Sequence, residues 1–270
     1  MGDIACSPTD AHFNGGLGEP GFCQMKATAD RASALKPGLV LPLGDEQYQA
    51  ATASEFAGSY DLTWGRFKAI SRPVPGNHEY VSPGAAGYLA YFGQAAEPAG
   101  TTWYSFNVAG WHVVALDANC GKIGGCSSTS PEGRWLAADL TANRAVCTLA
   151  FWHQPAFSSA QSGGVAASMP LWQAAVAGGV DLILNGHRHL YERFAPADAS
   201  GRPDSSGARE IVVGTGGEDL EAFGAASPSS EVRLSAFGVL QLTLTPAAYT
   251  FRFVDISGHV GDQGGGSCHS

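Results

Sequence analysis

Four short apolar runs in this chain each end directly in polar residues that can bind a metal or transfer a proton. Runs of this length predict buried strands, and side chains that follow the carboxyl ends of neighbouring strands meet at one edge of a sheet. The runs and their polar ends are residues 39–43 before Gly44-Asp45, residues 72–75 before Gly76-Asn77-His78, residues 147–152 before His153, and residues 180–185 before Gly186-His187-Arg188-His189. The pattern predicts an α/β protein with one site built from several strand ends.

The chemistry of these polar residues indicates metal ions. Asp3, near the start of the chain, gives a fifth candidate segment for the site. Carboxylate and amide oxygens together with imidazole nitrogens suit first-row metals such as Fe, Zn and Mn, whereas all-oxygen sets suit Mg or Ca. Two metals roughly 3.5 to 4 Å apart, bridged by one carboxylate, can activate a water and stabilise both oxygens of an in-line displacement at phosphorus. The sequence therefore predicts hydrolysis of a phosphate ester.

The same residues resemble the calcineurin-like metallophosphoesterase family and, within it, the purple acid phosphatase branch. The resemblance rests on five blocks in the family's order: Gly2-Asp3, Gly44-Asp45 with Tyr48, Gly76-Asn77-His78-Glu79, Trp152-His153, and Gly186-His187-Arg188-His189 followed by Tyr191-Glu192-Arg193. The family implies one metallophosphoesterase domain over residues 1–270, folded as a four-layer α-β-β-α sandwich with two mixed β-sheets. We expect its first strand to be truncated, because only Met1 and Gly2 precede Asp3.

The resemblance also implies a role for each site residue. Asp3, Tyr48 and His189 hold the first metal, Asn77, His153 and His187 hold the second, and Asp45 bridges the two. His78 is left free as the proton donor to the leaving alcohol. The implied reaction is attack of a metal-bound hydroxide on a phosphate monoester, with activity expected at mildly acidic pH.

Tyr48 bears on the identity of the metals. The wider family has a histidine two residues after its first aspartate, and this chain has Ala5 there. The purple acid phosphatases also lack that histidine and have a tyrosine at the Tyr48 position. A phenolate is a hard anionic donor, so the resemblance implies Fe(III) at the first site with Fe, Zn or Mn at the second. The alternative is that Tyr48 packs on the start of a helix and that the site holds two divalent ions.

His187 and His189 are two residues apart, and side chains at this spacing point to the same side of an extended backbone. We therefore expect both imidazoles to reach the site. Arg188 should then point away and pair with a carboxylate such as Glu192. If the turn is not extended, Arg188 is instead available to a substrate phosphate.

The charge and the hydropathy pattern limit the partners. The net charge is -9 and there is no cluster of lysine and arginine, which argues against nucleic acid as a bulk partner. A small phosphoester is the expected partner, because the metals supply local positive charge. No apolar stretch is long enough to span a membrane. Nothing in the sequence predicts the oligomeric state.

The six cysteines are an even number, and none lies in a CxxC zinc pattern. They predict a secreted or periplasmic protein with disulfides, although no export signal precedes Asp3. Cys120 and Cys126 flank a glycine-rich loop and are the first expected pair, and Cys6 with Cys23 is the second. The alternative is a cytosolic protein with buried, reduced thiols.

Regular structure is expected between the site segments. The predicted helices are residues 23–35, residues 85–92, a helix starting at Pro131 with Ser130 as its cap, and residues 168–177; the predicted strands are residues 102–108, 111–117, 210–213, 237–245 and 249–254.

Other functions remain open at this point. A phosphodiesterase or nucleotide hydrolase shares every metal ligand. A non-catalytic, metal-stabilised secreted binding protein binds metal without hydrolysis. A Ser-His-Asp hydrolase is disfavoured, because the chain contains no Gly-x-Ser-x-Gly motif.

Overall fold

The computed structural model describes residues 1–269. Its strands are β1 Tyr104–Val108, β2 Trp111–Ala115, β3 Cys147–Phe151, β4 Leu182–Asn185, β5 Tyr191–Phe194, β6 Arg209–Val213, β7 Ser230–Leu234, β8 Gly238–Thr245, β9 Ala248–Asp255 and β10 Val260–Ser267. Its α-helices are α1 Met25–Leu35, α2 Ala53–Glu55, α3 Asp61–Thr63, α4 Ala86–Phe92, α5 Cys120–Ile123, α6 Pro131–Ala142 and α7 Met169–Ala177.

The larger sheet has seven strands in the order β1-β2-β3-β4-β6-β5-β7. Its centre is parallel, from β2 through β3 and β4 to β6, and its two sides are antiparallel. Phe151 of β3 lies opposite Leu184 of β4, so the two strands end at the same edge. His153 follows β3 and Gly186 follows β4 directly, which brings two of the predicted site segments side by side.

The smaller sheet is antiparallel, in the order β10-β9-β8. Two isolated parallel bridges lie outside the named strands of the described residues, one between Ala5 and Gln47 and one between Val40 and Ser71. The predicted strands at residues 39–43 and 72–75 are thus extended but not regular. Pro42, Pro73 and Pro75 explain this, because proline has no N–H to donate to a ladder.

The two sheets pack face to face and helices cover their outer faces. The inner layer includes Leu149 and Phe151 from the larger sheet and Phe251 and Phe253 from the smaller one. Full burial of an aromatic side chain such as Phe253 contributes about 1.5–3 kcal/mol. Residues of α6 and α7 cover the larger sheet, and residues of α1 pack with Val239 on the smaller one. The predicted four-layer sandwich with two sheets is confirmed.

The predicted helices begin and end within two residues of the observed ones. Ser130 caps α6, since its Oγ accepts a hydrogen bond from the backbone N–H of Gly133 at 3.1 Å, with Pro131 in the first turn. The helix predicted from residue 23 begins at Met25, because Cys23 has a left-handed backbone with φ 52°. Ser168 precedes α7 but makes no capping hydrogen bond. No helix among the described residues is long and apolar enough to cross a membrane.

Three disulfides join all six cysteines. Cys6–Cys23 and Cys120–Cys126 are the two predicted pairs, and both are confirmed. The third, Cys147–Cys268, fastens the first residue of β3 to the residue after β10. It therefore ties the two sheets together at one end.

An apolar cavity of about 480 Å³ lies between residues 39–43 and β8. The amine of Met1 is buried at its margin and donates to the carbonyl oxygen of Leu41 at 3.1 Å. Burial lowers the pKa of this amine to about 5. None of the predicted metal ligands lines the cavity, so it is separate from the candidate site. The expected truncation of the first strand stays a prediction.

Candidate metal centre

Two glycines allow the site segments to approach each other. Gly44 has φ 87°, and a Cβ there would lie 2.6 Å from Nδ1 of His153 and 2.7 Å from the backbone nitrogen of Gly76. A Cβ on Gly76 would lie 2.2 Å from Oδ1 of Asp45. These separations are below contact distance, so both positions require glycine for the segments to meet.

The first group of donor atoms gathers around the hydroxyl of Tyr48. Its Oη lies 3.0 Å from Oδ1 of Asp3, 3.2 Å from Oδ2 of Asp45 and 3.0 Å from Nε2 of His189. Nε2 of His189 is also 3.2 Å from Oδ1 of Asp3. Two carboxylates, one phenol and one imidazole thus converge on one point.

The second group of donor atoms also includes Oδ2 of Asp45. Nε2 of His153 is 3.0 Å from Oδ2 of Asp45 and 3.2 Å from Nδ1 of His187. Oδ1 of Asn77 is buried and has no hydrogen-bond partner among the described residues. An amide oxygen left without a partner is costly unless a cation binds it, so this orphan atom fits a metal ligand. Asp45 belongs to both groups.

Backbone contacts fix the carboxylates and one imidazole. Nδ1 of His153 donates to the carbonyl oxygen of Leu43 at 2.8 Å, which leaves Nε2 facing Asp45. The backbone N–H of His78 donates to Oδ1 of Asp45 at 2.8 Å, and that of His187 donates to Oδ2 of Asp3 at 2.8 Å. Such contacts hold ligands in place before a metal binds.

Charge and burial act against each other in this cluster. Burial opposes ionisation of Asp45, but the His153 imidazolium outweighs it and holds the pKa of Asp45 below its usual range. Burial likewise opposes the charge on His153, yet Asp45 raises its pKa to about 9. Burial, with the positive His153 beside it, lowers the pKa of His187 to about 3. The carboxylates are therefore ionised. The protonated His153 supplies the positive charge that a bound cation would otherwise supply.

Burial and the Asp3 carboxylate together raise the pKa of the Tyr48 phenol well above its usual value. The phenol therefore needs a nearby cation to ionise. Burial opposes the charge on His189, but Asp3 and Asp219 raise its pKa to about 11. Oxygen and nitrogen donors of this mixture suit first-row transition metals, so the residues present fit the metals that the sequence predicts.

Comparison with known proteins agrees with this geometry. No family model matches the chain. Purple acid phosphatase 18 of Arabidopsis thaliana is 26% identical over 226 residues, which are 75% of this chain and 48% of that protein. The structure of purple acid phosphatase PPD1 from yellow lupin superposes with a TM-score of 0.71 at 19% identity, over 91% of this chain and 49% of that one.

These similarities support a calcineurin-like metallophosphoesterase of the purple acid phosphatase-like branch. A phosphoenolpyruvate phosphatase from Allium cepa is also similar, with 26% identity over 250 residues, 78% of this chain and 50% of that protein. The chain spans about half the length of the curated relatives it matches.

The turn after β4 differs from the predicted one. His187 has φ 67°, a left-handed conformation, so this turn is not extended. The two imidazoles still reach the site, but they face different donor groups, His187 beside His153 and His189 beside Tyr48. The prediction of an extended backbone here is wrong: the backbone N–H of His187 donates to Oδ2 of Asp3 at 2.8 Å, and that of Arg188 donates back to the carbonyl oxygen of Gly186 at 2.8 Å.

Arg188 does not pair with Glu192, so that prediction is also wrong. Nε of Arg188 donates to the carbonyl oxygen of Gly163 at 2.8 Å. Glu192 is buried and accepts from the backbone N–H of Ser159 at 2.7 Å. Arg188 therefore holds the loop that follows His153 rather than a carboxylate on β5.

Two further acidic residues belong to the site. Glu79 accepts from the backbone N–H groups of Gly76 at 2.7 Å and Asp45 at 2.9 Å, and so joins two ligand segments. The sequence indicated Glu79, because it directly follows Asn77-His78. Asp219 contacts Nδ1 of His189. The sequence did not predict this contact, because Asp219 follows a glycine-rich segment whose composition indicates only a turn.

Proposed function

We propose that this protein is a dinuclear metal-dependent phosphoesterase that hydrolyses small phosphate monoesters. The observation that supports this most is the position of Asp45, whose Oδ2 lies 3.2 Å from the Tyr48 hydroxyl on one side and 3.0 Å from Nε2 of His153 on the other. A carboxylate shared between two donor groups is the arrangement that a bridging ligand needs.

The ligand sets follow from the two donor groups. The first metal would be held by Asp3, Tyr48 and His189 and the second by Asn77, His153 and His187, with Asp45 serving both. When bound, the two ions supply Lewis acidity that polarises the phosphate and activates a water for in-line attack. The phenol oxygen of Tyr48 favours Fe(III) at the first site, and the nitrogen-rich second group suits Fe, Zn or Mn.

His78 is the proposed catalytic residue. Its Nδ1 donates to the carbonyl oxygen of Gln49 at 2.7 Å, and its Nε2 has no hydrogen-bond partner among the described residues. A half-buried imidazole held in this way can protonate the leaving alcohol from Nε2. We expect activity at mildly acidic pH, because a trivalent ion at the first site would lower the pKa of a coordinated water further than a divalent ion.

The compartment and the partner are proposed from the disulfides and the net charge. Three disulfides fit an oxidising compartment, so the protein is proposed to act outside the cytosol, secreted or in a periplasm. The net charge of -9 supports a small phosphoester rather than bulk nucleic acid as its partner. We propose that residues 1–270 form a single domain.

The test is metal analysis, a visible spectrum and two assays on one sample purified without added metal. We expect two metal equivalents, a purple tyrosinate-to-iron band, and faster hydrolysis of p-nitrophenyl phosphate than of bis(p-nitrophenyl) phosphate.

A colourless, active protein with Zn or Mn would reject iron at the first site and keep the phosphoesterase. Faster diester hydrolysis would favour a phosphodiesterase or nucleotide hydrolase. Metal binding without turnover would favour a non-catalytic binding protein, and a metal-free, inactive protein would reject the proposal.

A further inference from the structure

His189 has a hydrogen-bonding partner on the side that faces away from the other ligands. Its Nδ1 contacts Oδ1 of Asp219, while its Nε2 lies 3.0 Å from the Tyr48 hydroxyl. A carboxylate on one imidazole nitrogen fixes the tautomer and the ring orientation, and it makes the other nitrogen a stronger donor. The carboxylate of Asp219 therefore acts on the face of His189 that a metal would use.

The imidazole of His153, a proposed ligand of the second metal, is held differently. Nδ1 of His153 donates to the backbone carbonyl of Leu43, a neutral acceptor. His189 thus has a negatively charged partner where His153 has an uncharged one. An imidazole with a charged partner donates more electron density, which suits an ion of higher charge. The two halves of the site are therefore electronically unequal.

The main chain around Asp219 is anchored to the ligand segments themselves. The backbone N–H of Glu218 donates to the carbonyl oxygen of Asp3 at 3.2 Å, and that of Glu221 donates to the carbonyl oxygen of His189 at 3.0 Å. Cys23, in the Cys6–Cys23 disulfide, donates from its N–H to the carbonyl oxygen of Glu218 at 3.0 Å. Although the Asp219 side chain is 51% exposed, its backbone is held on both sides.

We propose that Asp219 is a positioning residue for the first metal: it orients His189 and strengthens Nε2 of that imidazole as a ligand. The inference rests on the proposed dinuclear function and assigns a role to a residue outside the ligand set. Its effect should be confined to the Tyr48 half of the site, because His153 and His187 make no contact with Asp219 among the described residues.

Two substitutions separate orientation from charge. Asp219→Asn keeps an oxygen that can accept from Nδ1 but removes the charge, whereas Asp219→Ala removes both. We expect Asp219→Ala to weaken first-site metal affinity by about 10- to 100-fold, measured by competition with a chelator, with the second metal retained. Asp219→Asn should lose less affinity and shift the tyrosinate-to-iron band to longer wavelength, because a weaker imidazole donor leaves the iron more electrophilic.

A control variant and two different negative results separate the role of Asp219 from the proposed function. Glu97→Gln removes a carboxylate that forms no side-chain hydrogen bond or ion pair among the described residues, and it should leave both readouts unchanged. Wild-type affinity and spectrum in Asp219→Ala, with two metals and turnover in the parent protein, would overturn the role of Asp219 alone. Absence of metal or turnover in the parent protein would instead overturn the proposed function.

The neighbouring Glu218 supplies one more contrary outcome. Donor atoms of His189, Glu218 and Asp219 lie within 4.8 Å of one another, so they are close enough for a separate cation. A third metal equivalent in the parent protein, lost alike in Asp219→Ala and Glu218→Gln, would overturn the positioning role in favour of that cation. Loss of first-site metal in Asp219→Ala with two equivalents in the parent protein supports it.

Discussion

The imidazole of His78 packs against the phenol ring of Tyr48, with 4.2 Å between the ring centroids and 46° between the ring planes. The proposed proton donor therefore touches a proposed ligand of the first metal. Nδ1 of His78 donates to the carbonyl oxygen of Gln49, and its Nε2 has no hydrogen-bond partner in the part of the chain that the structure describes. This contact gives His78 a defined place beside the proposed first-metal site.

Replacement of His78 should slow the reaction without removing metal. We expect His78→Ala to lower kcat about 10²- to 10⁴-fold, because general-acid assistance to the leaving group is lost. The loss should be larger for an alkyl phosphate than for p-nitrophenyl phosphate, whose leaving group needs little protonation. Steady-state kinetics with both substrates and metal analysis check this. Loss of a metal equivalent in the variant would instead make His78 a ligand.

Replacement of Tyr48 by phenylalanine tests the metal at the first site. The phenyl ring can keep the packing of Tyr48, but the oxygen that lies 3.0 Å from Asp3 and from His189 is gone. We expect the visible band to disappear and first-site affinity to fall. Tyr60→Phe is the matched control, since Tyr60 is also buried but its hydroxyl has no partner among the described residues. A band that persists in Tyr48→Phe would contradict the assignment.

Several features of the site could be predicted because their signals are local. Asp45 and Tyr48 are three residues apart, and each predicted ligand except Asp3 and Tyr48 follows an apolar run. Parallel strands end at a common edge, so residues far apart in sequence meet there without any further information. The structure brings Asp45, His153, His187 and His189 together at this edge. Asp3 and Tyr48 join them through contacts with His189 and Asp45.

Other features depend on the folded chain and have no local signal. Asp219 meets His189 across 30 residues, through a loop whose backbone donates hydrogen bonds to the carbonyl oxygens of Gly2 and Asp3. The left-handed backbone of His187 likewise follows from neighbouring segments rather than from its own residue type. Cys147 and Cys268, 121 residues apart, could not be paired from sequence, because six cysteines allow fifteen connectivities.

The Cys147–Cys268 disulfide should contribute more stability than Cys120–Cys126. Their sequence separations are 121 and 6 residues, and the chain-entropy model assigns about 5 kcal/mol to the longer loop and about 2 kcal/mol to the shorter one. We expect the double alanine variants to lose free energy of unfolding in that order. Urea denaturation of both variants and the parent protein measures it. Equal losses would show that loop length does not govern these two bonds.

Glu210 should make the stability of the protein fall as pH rises. It is buried in β6, with Oε1 accepting from the backbone N–H of Ala156 at 3.0 Å and Oε2 without a partner among the described residues. Burial raises the pKa of Glu210 well above its usual value. The folded state thus keeps a proton that the unfolded state releases at about pH 4.3, so this group's contribution is complete below that pH and is lost as pH rises toward the folded pKa.

Glu210→Gln isolates this effect, because glutamine resembles the neutral acid and cannot ionise. We expect the difference in free energy of unfolding between the variant and the parent protein to shift in favour of the variant above about pH 4.3. The shift should approach about 1.4 kcal/mol per pH unit until the folded group ionises. Denaturation at pH 4, 6 and 8, with the exposed Glu19→Gln as control, measures it. Parallel pH profiles for Glu210→Gln and the parent protein would show that the raised pKa is wrong.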